Sequence, residues 1–137
     1  MAVFNKFNSF VEALAEKAHN LGSDVLKVAL TNSAPVATNT VLANITQITA
    51  ENGYSAGGPA VTVSSSSQTS GTYSLVGVDR VITASGGTIG PFRYVALYND
   101  TAVSDELIGW YDYGSSITLA DGETFTVNFG ANILTLA

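Results

Sequence analysis

"LADGETFTVNF", Leu119 to Phe129, is the most legible stretch of this chain. Asp121-Gly122 supplies the positive-φ geometry of a tight turn. Beyond it Phe125, Val127 and Phe129 fall on one side of an extended backbone, and Thr124, Thr126 and Asn128 fall on the other. That is a strand with one face in a core. Phe125→Ala is then expected to cost roughly 3–5 kcal/mol. The segment that follows, "ANILTLA" (131–137), reads as a last apolar strand. Its edge needs a partner, in its own sheet or on a neighbouring subunit.

The same texture extends back from this turn. "DVLKVALT" (24–31), "TYSLVGV" (72–78), "DRVITAS" (79–85), "FRYVALYN" (92–99), "LIGWYDY" (107–113) and "SITLA" (116–120) all read as strands. "NSAPVATNT" (32–40) and "ENGYSAGGPA" (51–60) read as connections, and "GGTIGP" (86–91) as a turn. "VLANITQITA" (41–50) fits a short strand or a turn of helix, and "VTVSSSSQTSG" (61–71) a strand running into a polar linker or hairpin tip. About eight to ten short strands at this spacing predict an antiparallel β-sandwich or jelly roll. No later segment has the period and length of a crossover helix.

The N-terminus differs. Phe4, Phe7, Phe10, Val11, Leu14 and Ala18 recur at the spacing of one helix face, and "HNLG" (19–22) reads as its stop. The expected organisation is therefore an N-terminal helix over residues 1–22, packed on or beside a single β-domain over 23–137. The three phenylalanines then either close one end of the β-core or pack on another subunit.

Composition narrows the function. Only 12% of residues are charged, about half of the ~25% usual for a globular domain, which suits a chain that lives in an assembly. The net charge is −6. Residues 1–27 are balanced, with Lys6, Lys17 and Lys27 against Glu12, Glu16 and Asp24, whereas the remainder sets Arg80 and Arg93 against eight acids. Such a body repels phosphate backbones, so neither nucleic acid nor an anionic membrane is an expected partner. There is no cysteine, so disulfides, thiol chemistry and cysteine-held zinc are excluded. The start lacks the unbroken apolar region of a signal peptide, and no run approaches a membrane span, which predicts synthesis and folding in a cytoplasm.

Candidate chemistry concentrates between Phe92 and Gly114, where Asp100, Asp105, Glu106 and Asp112 accompany Tyr94, Tyr98, Trp110, Tyr111 and Tyr113. Asp100 and Asp112 could meet across a hairpin as paired carboxylates, but any surface strand pair offers such acids. Asn99, Asp100, Asp105 and Glu106 offer oxygens for calcium, yet their spacing matches no EF-hand, and solvated carboxylates at a hairpin tip are the expectation. His19 is the single histidine and reads as a surface residue near a helix C-terminus, with no base partner for a nucleophile. No catalytic residue, cofactor or metal site is expected. In a strand, Tyr111 and Tyr113 share one face and Trp110 and Asp112 the other, and two exposed tyrosines suit a protein interface as well as a sugar.

Three stretches, "HNLGSDVLKVALTNSAP" (19–35), "GPFRYVALYND" (90–100) and "LIGWYDYGSSITLADGETFTVNF" (107–129), give the chain a layout that resembles the head decoration, or cement, proteins of tailed bacteriophages. The resemblance spans nearly the whole chain and carries no motif with assigned roles. It implies a β-sandwich or jelly roll with an N-terminal arm or helix. It also implies a homo-oligomer, dimer or trimer, that binds the major capsid protein and stiffens the shell against internal DNA pressure. The expected location is the capsid surface of a virion assembled in the host cytoplasm. Phe4, Phe7, Phe10, Tyr94, Tyr98, Trp110 and Tyr111 are the candidate interface residues. The alternatives are a tail- or fibre-associated structural protein, or a carbohydrate-binding β-sandwich module using Tyr98, Trp110 and Tyr111.

Overall fold

The turn at Asp121-Gly122 does not join two neighbouring strands. It carries the chain from one sheet to another. A computed structural model describes residues 2–137. Its strands are β1 (Val3–Lys6), β2 (Leu26–Thr31), β3 (Ala60–Thr69), β4 (Thr72–Val78), β5 (Arg80–Thr83), β6 (Ile89–Asn99), β7 (Leu107–Leu119), β8 (Thr124–Val127) and β9 (Leu134–Leu136). Seven of them form one antiparallel sheet in the order β1-β7-β6-β2-β3-β4-β9, and β5 and β8 pair as a second. The protein is an all-β sandwich with one short helix, α1 (Ser9–Ala15).

Between the two sheets lies the larger core. Phe125 of β8 meets Phe92 of β6 edge-on at 5.0 Å and Tyr113 of β7 at 4.9 Å. Val28, Leu30, Leu75, Val95, Leu97, Ile108, Val127 and Phe129 fill the space around them. The alternation read in residues 124–129 holds: Val127 and Phe129 are buried, Phe125 is half-buried, and Thr124 and Thr126 are exposed.

The central strands are covered on their other face too. Ala29, Ala96, Tyr98 and Leu107 form a second, smaller core with Phe7 and Ile45, closed by Leu42 and Trp110. Leu42 and Ile45 bring the connection between β2 and β3 into this cover. Tyr54 Oη accepts from Leu30 N–H at 3.0 Å and donates to Gln47 Oε1 at 2.8 Å, and Tyr98 Oη donates to Gly57 O at 2.7 Å. The ambiguous 41–50 stretch is a single turn of 3-10 helix at Leu42–Asn44, flanked by bridges from Val41 to Glu106 and from Gln47 to Thr31.

The N-terminus corrects the sequence reading. Residues 3–6 are a strand, pairing Phe4 with Tyr111 and Lys6 with Gly109. The helix spans only seven residues. It ends where Lys17 takes a left-handed backbone (φ 71°), with Lys17 N–H on Leu14 O and Ala18 N–H on Ala13 O. That 6→1 and 5→2 closure is a Schellman motif, and it ends at Ala18, immediately before "HNLG". The phenylalanines do not share a face: Phe4 packs on Tyr111, Phe7 on Trp110 and Phe10 on His19. Phe10 and Leu21 lie in the main core, so this segment is built into the sandwich.

Candidate functional site

The Phe92–Gly114 stretch is a hairpin of β6 and β7 with its acids at opposite ends. In the ladder Tyr94 pairs with Asp112 and Tyr98 with Leu107. Asp112 holds Arg93 in a two-point ion pair, with Nε donating to Oδ1 at 2.8 Å and the second guanidinium nitrogen to Oδ2 at 3.1 Å. That pair, aided by Gly114 N–H, keeps the Asp112 carboxyl below the ordinary carboxylate range. Asp100 sits at the other end and pairs with Lys27 Nζ at 3.1 Å. The two acids therefore do not meet. Among the described residues no three acids or histidines converge as a metal cage. Asn99 Oδ1 points inward to the loop's own backbone, accepting from Thr101 and Ala102 N–H.

The candidate interface aromatics other than Tyr94 are divided between the two cores. Phe7 is 0% and Tyr98 1% exposed. Phe10, Tyr94 and Tyr111 are also buried within the chain, while Phe4 and Trp110 keep part of their area exposed. Trp110 stacks tilted on Phe7 at 4.6 Å. Tyr111 and Tyr113 do share a face, but it is the inner one: burial raises both phenols, Tyr113 to about 12. Tyr98, Trp110 and Tyr111 thus present no common row of exposed rings.

His19 is a second correction. It is 5% exposed, not a surface residue. Its Nδ1 meets Asn99 Nδ2 at 3.0 Å, and the same Nδ2 reaches Asp24 Oδ2 at 2.7 Å. Asn20 N–H also donates to Asp24 Oδ2, at 2.8 Å. Burial lowers the imidazole from its ordinary value of 6.5, against the pull of Glu106 and Asp24. Beside it lies an open depression of about 420 Å³, lined by Leu14, Lys17, Leu21, Ser66 and Tyr73. The sequence signal was only a histidine followed by a polar turn, with its asparagine partner far along the chain.

The most accessible feature is the serine run, for which the sequence leaves linker and hairpin tip open, and it is a hairpin. "SSSSQT" is strand, the outer half of β3, joined to β4 by a two-residue turn at Ser70 and Gly71, both left-handed. Residues 64–72 are exposed on both faces. β2 pairs with β3 only at Leu26–Val61 and Lys27–Ala60. From Thr62 to Thr69 the β2-facing edge of β3 therefore has no ladder partner among the described residues. A bulge between Val63 and Ser65 bends this edge, but no charge and no proline protects it.

Compared with known families, curated proteins and solved structures, the chain gives no match to a family model, to a curated protein or to a solved structure.

Proposed function

We propose that this protein is a structural virion component, a decoration or cement protein that binds the major capsid protein and stabilises a phage head as a homo-oligomer. The observation that carries the reading is the β3–β4 arm: nine successive exposed residues, 64–72, without one charge, along a strand edge that lacks a partner among the described residues. A free edge invites another chain, and folded proteins normally protect it with lysine or proline. Here the residues are serine, threonine and glutamine. They keep the arm wettable before assembly and offer short hydrogen-bonding side chains afterwards. The scarcity of charge elsewhere and the whole-chain resemblance support the same reading. Partly exposed Phe4 and Trp110 would add apolar contact at the other end of the sheet.

The test is co-sedimentation of the purified protein with empty heads that lack it. Saturable binding at a fixed ratio to the shell subunit is the expected result. A folded protein that stays in the supernatant would favour the tail- or fibre-associated role, and a glycan-dependent change in Trp110 fluorescence would favour the carbohydrate-binding one.

A further inference from the structure

One amide at the end of β6 has every hydrogen-bonding position assigned. Asn99 Oδ1 accepts from the backbone N–H of Thr101 at 2.9 Å and of Ala102 at 3.1 Å, which identifies that end of the amide as oxygen. Asn99 Nδ2 therefore directs its two hydrogens at Asp24 Oδ2 and His19 Nδ1. It follows that His19 Nδ1 accepts and carries no proton, so the ring is neutral with its hydrogen on Nε2. Nε2 is buried without a partner among the described residues. An imidazolium in this place would set N–H against N–H at 3.0 Å.

The groups around the ring come from several elements. Asp24 faces it from ahead of β2 and Glu106 from ahead of β7, and both attract a proton. Asn99 of β6 and Phe10 of α1, whose ring centroid is 5.4 Å away, are neutral. Lys17 and Tyr73 line the same depression as His19. Burial outweighs the two acids and holds the ring neutral at physiological pH.

We propose that the His19–Asn99–Asp24 cluster is an acid-operated latch, in which a proton taken up at His19 Nδ1 turns the Asn99 amide and frees the Thr101 and Ala102 amides of the β6–β7 connection. A protonated Nδ1 needs an acceptor, and Asn99 can present Oδ1 only by rotating. Rotation withdraws Oδ1 from Thr101 and Ala102 N–H and Nδ2 from Asp24. Asp24, still bonded to Asn20 N–H, then faces the new positive charge directly. The ends of the connection stay tied, by Asp100 N–H to Val25 O, by Val25 N–H to Thr101 Oγ1 and by Leu42 N–H to Asp105 O. Motion is therefore confined to the segment that carries Val103, whose side chain is fully exposed at 102%. The latch is independent of the virion role.

Amide hydrogen exchange at Thr101 and Ala102, corrected for intrinsic rates, tests this at about pH 7.5 and about pH 5. An opening driven by one proton grows about tenfold for each pH unit between the ordinary value of 6.5 and the lowered native value, and levels off below it. The wild type is expected to lose protection at both amides on acidification. His19→Gln is expected to keep it, because its side-chain oxygen accepts from Asn99 and does not titrate. Unchanged protection in the wild type, or an equal loss in His19→Gln, overturns the proposal. Should His19→Gln fail to fold, nitrogen NMR of the single imidazole decides. An unprotonated Nδ1 at neutral pH, with the Asn99 side-chain signals moving as His19 titrates, supports the latch. An Nδ1–H tautomer, or Asn99 signals that stay still, rules it out.

Discussion

Gly109 shows how much one absent side chain determines. A Cβ built there would lie 2.3 Å from Phe4 Cζ and 2.7 Å from Asn5 O. The Phe4 ring lies over the glycine, and β1 can approach β7 only because nothing stands between them. Gly109→Val is expected to displace β1 and expose Phe4 and Tyr111, which hydrogen exchange at residues 3–6 would report. Gly58 is held more tightly, since a Cβ there would overlap Val28 O at a backbone φ of 73°. Tyr98→Phe removes the bond to Gly57 O and is expected to cost about 1–2 kcal/mol in a thermal melt. Phe92→Ala, at a position with no exposure, is expected to cost roughly 3–5 kcal/mol. Phe125→Ala is expected near the lower end, about 3 kcal/mol, because its ring is only half-buried. Similar melts for Phe125→Ala and the wild type would mean that β8 does not close the core.

At the level of elements, the sequence was most legible where one face is wet. Residues 124–129 alternate, and the strand lies where the alternation places it. It was less legible where both faces are covered. Residues 26–31 are nearly all buried, so their pattern shows a strand but does not reveal the second core beneath Ala29. The N-terminal helix is present, but only over Ser9–Ala15, and its longer reading came from an accident of spacing. Phe4, Phe7 and Phe10 stand three apart, as helix positions do, but they serve an edge strand, the far face of the sheet and a short helix in turn. The ladder to β7 and the slot at Gly109 outweighed local preference, and neither can be seen from residues 1–22 alone. The serine run stayed open between linker and hairpin tip for the opposite reason. It has no apolar period, yet the β4 ladder alone is enough to hold it extended in a hairpin. Of the candidate interface aromatics, position on a face was readable, as the split of Trp110 from Tyr111 shows, but not which face was inside.

Over the whole molecule, pH and assembly are the properties to measure. His19 is held below its ordinary value of 6.5 in the folded chain. The unfolded chain therefore binds the proton first as pH falls, and stability declines from about pH 6.5 down to the lowered native value. Asp112 acts in the same direction further down, its contribution lost as pH falls through its depressed value. Melting temperatures from pH 8 to pH 5 should thus fall in the wild type and fall less in His19→Gln. The −6 charge lies wholly outside residues 1–27, while the 64–72 arm carries none of it. Binding through the arm should therefore survive high salt, unlike binding through exposed ion pairs. The most direct measurement is co-sedimentation with empty heads at low and high salt, comparing the wild type with a Ser65→Lys, Ser67→Lys variant. Both serines are exposed on one side of β3, so the variant should fold as the wild type does. Saturable, salt-resistant binding by the wild type, lost in the variant, is the predicted result. A folded wild type that does not bind the shell at either salt would contradict the account.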